Sequence, residues 1–213
     1  FALPKLPDEF LQKWTEQTPD WGEIIESPQD YRTSIYQLQG QVTHVEKVSL
    51  IPEAAQRFGF THYYQATMEL GEDQWKATVC ARRVPLDWKI GEPIRESASF
   101  RGLLLKIGDG PVFATKRIAW HPNRLDEAAG ISRSQVILGD LGMDVGLWDD
   151  VRDRRPLLPT DRECFYQLMH SVGRIKQEQL RERSTATFDF ADIIRHPRNY
   201  HGRMLQLVGI ASR

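Results

Sequence analysis

Six histidines and two cysteines are the residues of this sequence best suited to hold a metal ion. The sequence contains no HExxH motif and no closely spaced pair of cysteines, which are arrangements typical of zinc sites. His196 and His201 lie five residues apart across Pro197, so one helical face cannot present both imidazoles. Five aspartates between positions 140 and 153 fit no EF-hand spacing, and aspartate is common at helix starts. We therefore predict no metal site and no cofactor.

A cysteine and a histidine on neighbouring strands could form a nucleophile and its base. Cys80 lies on a predicted strand and can face His62 or His44 on the adjacent strands. The sequence places no acidic residue to orient either histidine, so a packed thiol is the simpler interpretation. Cys164 is far from Cys80 along the chain, and both a disulfide and two buried thiols fit the sequence. An enzyme of unknown class is therefore the least favoured function.

Basic residues interleave with aromatic residues between positions 75 and 117, a pattern that could bind a polyanion. Single-stranded nucleic acids are held by aromatic rings that stack on bases and by cations that attract phosphates. The candidate ligand-binding residues are Trp75, Arg82, Arg83, Trp88, Arg95, Arg101, Lys116 and Arg117. An oligosaccharide or a protein ligand fits the same residues, and in the alternative interpretation the rings pack inward.

The charge of this region is modest. Residues 31–122 contain twelve Lys or Arg and nine Asp or Glu, a net charge of +3, whereas nucleic-acid-binding domains are commonly far more basic. The whole chain of 213 residues has a net charge of −1, with 40% hydrophobic and 27% charged residues, as in soluble globular proteins. No apolar run approaches the roughly 18 residues that a membrane-spanning helix needs, so we expect no membrane span.

The positions of the candidate residues depend on a set of predicted β-strands. Polar and apolar residues alternate from Ile35, over 60–70 and over 75–82, which predicts three strands. Residues 94–107 and 112–120, separated by the tight turn Gly108–Pro111, are predicted to be two further strands. Gly40 in the first strand predicts a bulge or a sharp coil. Five strands with two hairpins match an OB-like barrel, which we place at residues 31–122. The predicted fold class is α+β, mostly β with helices.

Helical segments are predicted on both sides of the barrel. Residues 1–30 form an N-terminal helical lead-in, and residues 123–187 form a helical linker. Within the linker, Thr160 and Glu163 fit a capping box that starts one amphipathic helix over 160–182. The predicted buried face of this helix carries Phe165, Leu168, Met169 and Val172.

Residues 21–40 recur in the sequence at an offset of 169 residues. They align without gaps with residues 190–209 at seven identical positions of twenty, several times the number expected by chance. The identities form the pattern Ile-Ile-x-x-Pro-x-x-Tyr, followed by Gln-Leu-x-Gly. We interpret each copy as a short helix, a proline stop and the first strand of an OB-like barrel. Residues 188–213 are therefore expected to be the start of a second OB-like repeat, incomplete at Arg213.

This pattern resembles the start of OB-fold-like repeat modules in large uncharacterised bacterial proteins. The segments Phe100–Lys106 and Thr160–Gly173 also resemble parts of those proteins. The resemblance implies tandem OB-like modules and a location outside the cytoplasm or in the cell envelope. It assigns no activity and no catalytic residue.

A non-enzymatic OB-like repeat module for binding or scaffolding is the function that these observations favour. The alternative is binding of single-stranded nucleic acid or of an oligosaccharide through the barrel face. We also expect residues 203–212 to be extended, because they align with the first barrel strand. A strand without neighbours leaves its backbone groups unpaired, which predicts a protein partner or self-association through this segment.

Overall fold

A computed structural model describes residues 15–16, 21–32, 34–71, 75–126, 130–184 and 188–207. The chain divides into two units, residues 1–120 and residues 121–213, called unit 1 and unit 2 below. Within the described residues, no helix is both long enough and apolar enough to span a membrane.

The sheet of unit 1 is built from β1 (Thr15–Glu16), β2 (Ile35–Ser49), β3 (His62–Leu70), β4 (Trp75–Arg83), β5 (Pro93–Ile107) and β6 (Pro111–Trp120). The strand order is β1-β2-β3-β4-β6-β5, and β2 pairs additionally with β5. Strands β2 to β6 therefore close into a ring. Within this ring β4 and β6 run parallel, and the other pairs are antiparallel. The prediction of an α+β chain is confirmed, and so is the prediction of five strands that form one sheet.

The length of β2 allows the ring to close. Its first part, from Ile35, pairs with β5, and its last part, up to Ser49, pairs with β3. The register shifts between Val42 and His44, which marks a bulge at this point. The bulge or sharp coil was predicted at Gly40, which instead pairs in regular register with Leu70 and Ala98. A Cβ atom on Gly40 would lie 2.0 Å from the carbonyl oxygen of Glu69. Only glycine permits this close approach of β2 and β3.

Alternate residues of the ring strands form the core of unit 1. The fully buried side chains include Tyr36, Val42, Met68, Val79 and Phe113. The ring of Phe113 packs edge-on against Tyr36 at a centroid distance of 6.1 Å, and it lies 5.2 Å from the ring of Phe100. Full burial of one such large apolar side chain stabilises the fold by about 1.5–3 kcal/mol. The two-residue period of the sequence in β2, β3 and β4 matches the alternate burial of these strands.

Among the described residues of unit 1, three short helices accompany the ring: α1 (Trp21–Glu26), α2 (Pro28–Tyr31) and α3 (Pro52–Phe58). Most of the first twenty residues of the predicted lead-in lie outside the described residues. Helix α3, in the connection between β2 and β3, was not predicted from the sequence. Its signals are present in the sequence. Pro52 occupies the first turn, where a missing N–H is tolerated, and Gly59 follows the last residue in the left-handed conformation (φ 72°). The helix is only seven residues long, so its apolar periodicity is weak.

The described part of unit 2 is mainly helical. Its α-helices are α4 (Arg133–Asp140), α5 (Arg162–Gly173), α6 (Gln177–Arg183) and α7 (Phe190–Arg195). Its 3-10 helices are Val145–Asp150, Pro159–Asp161 and Pro197–Tyr200. Its buried apolar residues include Ile131, Leu138, Met143, Val145, Leu147 and Cys164.

The prediction of one helix over 160–182 is wrong, because α5 and α6 divide this stretch. Gly173 ends α5, and Lys176 has extended backbone angles (φ −66°, ψ 142°) before α6 begins. Glycine lowers helix stability by about 1 kcal/mol relative to alanine, which favours a break at this position. The predicted cap also differs. The carboxylate of Asp161, rather than Glu163, accepts a backbone N–H at the helix start, from Leu158 at 2.8 Å.

The buried face of α5 is not the predicted one. Cys164 and Ser171 are buried. Phe165 and Met169 are 41% and 58% exposed, and the other two predicted core residues, Leu168 and Val172, are half-buried. The apolar spacing correctly predicted a helix here. The buried residues Cys164 and Ser171, however, each directly precede a residue that was predicted to be buried.

The short helices at the start of unit 1 have counterparts in unit 2 at the offset of 169 residues. The bounds of α1 match those of α7, and the bounds of α2 match those of the 3-10 helix Pro197–Tyr200. In the segment that follows, 203–207, Leu205 forms a β-bridge. Residues 208–213 lie outside the described residues, so an extended strand over the whole of 203–212 stays a prediction.

Candidate functional site

The two tryptophans of the predicted site lie in different environments. Trp75 begins β4 and is 38% exposed. Trp88 is only 5% exposed, and its ring packs edge-on against Trp120 at a centroid distance of 6.4 Å. The assignment of Trp88 to a ligand-stacking surface is therefore corrected. Its ring packs inward, as the alternative interpretation of the sequence had it.

Four of the predicted cations meet on three neighbouring strands. The parallel register of β4 and β6 places Arg83 beside Arg117. On its other side, β6 pairs with β5, and Phe100 lies opposite Ile118 and Gly102 opposite Thr115. Because the register shifts between these two pairs, Arg101 lies opposite both Lys116 and Arg117. Neighbouring strands of a sheet lie about 5 Å apart, so these four residues are neighbours in the register of the sheet. We call Arg83, Arg101, Lys116 and Arg117 the cation band.

The other predicted site cation of β5, Arg95, lies away from this band. Arg95 precedes Arg101 by six residues, about 20 Å along an extended strand. Its Nε donates a hydrogen bond to Oε1 of Gln41 at 2.8 Å, and Arg101 donates from Nη2 to Oε1 of Gln37 at 3.0 Å. Both arginines are thus held by glutamines of β2, but at separate levels of the sheet.

Arg82 belongs to a cluster that the sequence analysis did not identify. Its guanidinium carbon lies 3.6 Å from the centroid of the Phe60 ring, and its Nη1 donates to the carbonyl oxygen of His62 at 3.2 Å. A cation at this distance from an aromatic face is attracted by about 0.5–2 kcal/mol. The guanidinium plane is therefore held in place beside an aromatic ring before any ligand arrives.

Aromatic rings continue on both sides of Phe60. Phe58 lies 6.4 Å away, measured between centroids, and His62 and Tyr64 pack edge-to-face at 5.4 Å. These four residues, every second position from 58 to 64, are called the aromatic cluster below. Phe58 is 39% exposed and the other three are half-buried. The guanidinium carbon of Arg57 lies 5.2 Å from the Phe58 centroid. The sequence signal for this cluster is an aromatic residue at every second position over 58–64. This stretch includes the end of α3 and the start of β3.

Cations dominate the electrostatics of the aromatic cluster. Burial lowers the pKa of His62, and the positive charges of Lys47 and Arg82 lower it further. Burial also lowers the pKa of Arg82, with an added effect of Arg83. At neutral pH His62 is uncharged, while Arg82 keeps its charge because a guanidinium titrates far above pH 7. A negatively charged ligand would relieve the repulsion among these cations.

The cysteine–histidine pair considered above is not formed in this geometry. Cys80 lies opposite Gln65 in the register of β3 and β4. Burial raises the pKa of the Cys80 thiol, which keeps it protonated at neutral pH. The histidine rings have other hydrogen-bond partners, Glu46 for His44 at 3.1 Å and Thr61 for His62 at 3.0 Å. Both cysteines carry free thiols, and among the described residues no three metal-ligating side chains converge.

Comparisons with known proteins give a structural similarity but no family. No family model and no curated protein matches the chain. Among solved structures, the chain is similar to the solution structure of the second OB-fold domain of replication protein A from Methanococcus maripaludis. The two are 13% identical, with a TM-score of 0.27, and the match covers 45% of this chain and 90% of that domain.

Proposed function

We propose that unit 1 is a non-catalytic OB-like binding module that holds single-stranded nucleic acid on the aromatic cluster and the cation band. The single observation that carries this proposal is the stack of Arg82 on Phe60 at 3.6 Å. It combines a flat surface and a positive charge in one place, which are the two features that single-strand binders use.

The closed ring supplies the rigid support that such a surface needs. Arg82 lies on β4, which pairs with β3 on one side and β6 on the other, so both neighbours restrain its backbone. Phe60 lies two residues before β3, in the short connection that follows α3. The position of the stack is thus set by the strand register of Arg82 on one side and by this connection on the other. A surface that is arranged before binding loses less conformational entropy when a ligand docks.

The proposed division of labour follows from the chemistry of the two groups of residues. An exposed base can stack on Phe58 or on the outer face of the Arg82 guanidinium, which contributes about 1–3 kcal/mol per base. The cation band attracts phosphates by charge alone and does not distinguish bases. We therefore expect little sequence preference and a marked dependence on salt concentration.

Single-stranded nucleic acid fits these residues better than the two other ligand classes. A neutral oligosaccharide can stack on aromatic rings but gives no partner to the cations. A nucleic-acid duplex has phosphates but keeps its base faces stacked on one another. The net charge of +3 over residues 31–122 predicts a modest affinity, not the absence of binding.

A comparison of three ligands tests the proposal. Fluorescence anisotropy would measure binding of the full chain to a labelled single-stranded oligothymidine of about 12 nucleotides, to the matching duplex and to a neutral oligosaccharide. The single strand is expected to bind at least about tenfold more tightly than either competitor. Equal affinity for all three, or preference for the oligosaccharide, would overturn the proposal. Failure of all three to bind would favour scaffolding.

A further inference from the structure

Two arginine-rich segments of unit 2 lie side by side. The first is the irregular connection over 152–157. The second, over 190–198, contains α7 and the start of the turn that follows it. Nη2 of Arg154 donates a hydrogen bond to the carbonyl oxygen of Ile194 at 3.4 Å. This bond joins the connection to the end of α7, so the cations of both segments share one part of the surface.

The two segments carry more cations than anions. Residues 152–157 contain three arginines and one aspartate, and residues 190–198 contain two arginines and one aspartate. The five exposed arginines are Arg152, Arg154, Arg155, Arg195 and Arg198. Residues up to three positions apart lie within about 10 Å, roughly the Debye length at physiological salt concentration, so their fields add.

The two aspartates of these segments are held by other groups of unit 2. Oδ1 of Asp153 lies 3.0 Å from Nε2 of His201. Asp192 accepts a hydrogen bond from the hydroxyl of Tyr200 at 2.5 Å, and its carboxylate lies 3.9 Å from Nε2 of His196. The carboxylates therefore have partners within unit 2, whereas the arginines present their charges to solvent.

Arg154 adopts a backbone conformation that arginine rarely takes. Its φ of 61° lies in the left-handed region, and among the described residues no other non-glycine residue has a positive φ. Glycine or asparagine would adopt this conformation at lower cost. A guanidinium has five N–H donors, and the bond to Ile194 uses one of them. The packing of unit 2 thus gives little reason for an arginine here, and contact with a ligand would give one.

Apolar side chains are exposed beside these arginines. Phe190 and Ile194 lie four positions apart on one face of α7, and each is 59% exposed. Leu157, two positions after Arg155, is 63% exposed. Exposed apolar side chains among cations are typical of surfaces that enter the head-group region of a membrane. The basic-apolar patch is defined as the five exposed arginines of the two segments with Leu157, Phe190 and Ile194.

We propose that the basic-apolar patch binds the surface of an anionic lipid bilayer. The arginines attract the negative charges of the lipid head groups, each strengthening binding about fivefold. The apolar side chains enter the boundary between head groups and acyl chains. Nucleic acid also offers phosphates, but it has no hydrocarbon layer for Leu157 and Ile194 to enter. The patch lies in unit 2, so the proposal is independent of nucleic-acid binding by unit 1.

Co-sedimentation of the full chain with lipid vesicles tests the proposal. The probes are vesicles of phosphatidylcholine alone and vesicles that also contain about 30% phosphatidylserine, which is anionic. We expect binding to the anionic vesicles to be at least about tenfold tighter and to weaken with added salt, because salt screens the attraction. Equal affinity for the two compositions, or no binding to the anionic vesicles, would overturn the proposal.

Arg154→Gln and Arg174→Gln give a matched comparison of charge. Both arginines are exposed, and each donates to a backbone carbonyl oxygen, that of Ile194 for Arg154 and that of Leu141 for Arg174. Only Arg154 belongs to the patch. Arg154→Gln is expected to weaken binding to the anionic vesicles about fivefold and Arg174→Gln by less than about twofold. Equal weakening would show that the vesicles respond to the charge of the whole chain, which contradicts a defined patch.

Leu157→Ser and Leu125→Ser test the apolar part of the patch. Both leucines lie in irregular backbone of unit 2 and are exposed, at 63% and 59%. Leu157→Ser should weaken vesicle binding about threefold or more, and Leu125→Ser should leave it unchanged. Binding of oligothymidine would be measured on the same variants. Unchanged vesicle binding by Leu157→Ser, or loss of oligothymidine binding rather than vesicle binding by Arg154→Gln, would overturn the lipid assignment.

Discussion

The guanidinium carbon of Arg82 lies 3.6 Å from the centroid of the Phe60 ring, although the two residues are 22 positions apart in the chain. The hairpin of β3 and β4 brings them together, since Phe60 precedes the first strand and Arg82 is near the end of the second. The same arginine donates to the carbonyl oxygen of His62. A hairpin register thus fixes the orientation of a cation that a ligand can use.

The close approach of β2 and β3 depends on Gly40, so a substitution of Gly40 should lower the free energy of unfolding. In Gly40→Ala the new Cβ would meet the carbonyl oxygen of Glu69 at 2.0 Å, so β2 and β3 must separate. We expect unit 1 to lose about 2–4 kcal/mol in denaturant unfolding. Gly59→Ala is the control, because its φ of 72° is strained for alanine but no atom lies within 4 Å. It should cost about 1 kcal/mol, and an equal loss in both variants would contradict the role of the close approach.

The hydrogen bond between Tyr200 and Asp192 predicts a pH-dependent contribution to the stability of unit 2. The hydrogen bond to Asp192 raises the pKa of Tyr200 above its ordinary value of 10.0, with smaller contributions from burial and nearby charges. Because the folded-state pKa is the higher one, the stabilisation is complete below pH 10 and is lost as pH rises through that pKa. Tyr200→Phe should therefore melt at a lower temperature than the wild type at pH 7.

The difference should vanish at strongly alkaline pH, where the wild-type tyrosine is ionised and faces a carboxylate. Tyr166→Phe, at a site that is 59% exposed, serves as control and should leave the melting temperature unchanged at both pH values. Thermal unfolding followed by circular dichroism gives the comparison. A gap between wild type and Tyr200→Phe that stays constant with pH would show that the hydrogen bond is not its cause.

The cation band predicts a specific change in the salt dependence of binding. Each phosphate contact to a single strand contributes about −0.7 to the slope of log K against log salt concentration. Lys116→Gln should reduce the steepness of this slope by about that amount and weaken binding at low salt. Phe60→Ala should weaken binding without a change in slope, because a stacked ring releases no counterion. A titration of the single strand at several salt concentrations separates the two effects, and identical slopes for wild type and Lys116→Gln would remove the band from the interface.

Local patterns predicted the parts of the fold that depend on neighbouring residues. The two-residue alternation identified β2, β3 and β4, whereas the bulge lies between Val42 and His44 and not at Gly40, where it was predicted. The break between α5 and α6 was missed because the apolar residues keep helical spacing up to Ile175. This spacing does not show that the helix ends at Gly173 or that Lys176 is extended. The inward packing of Trp88 was missed for a different reason. It lies in an irregular connection, where no period indicates which way a side chain points.

The site itself depends on long-range register, which one sequence does not contain. Arg83 and Arg117 are neighbours only because β4 and β6 pair in parallel at that offset. The stack of Arg82 on Phe60 needs the hairpin register and the connection that holds α3. Composition could show that cations and rings were present in this region. The sequence-based set included Arg82 and the four residues of the cation band. It also included Arg95, because composition does not show that this residue lies away from the others.

The most direct test of the proposed function compares Arg82→Gln with Arg95→Gln in binding to single-stranded oligothymidine at fixed salt concentration. Each variant removes one positive charge from β4 or β5, but only Arg82 is stacked on an aromatic ring, and Arg95 is held by Gln41 away from the cluster. We predict that Arg82→Gln raises the dissociation constant about tenfold and Arg95→Gln by no more than about threefold. Equal changes in the two variants would show that binding responds to net charge alone, which contradicts a site built on the Arg82–Phe60 stack.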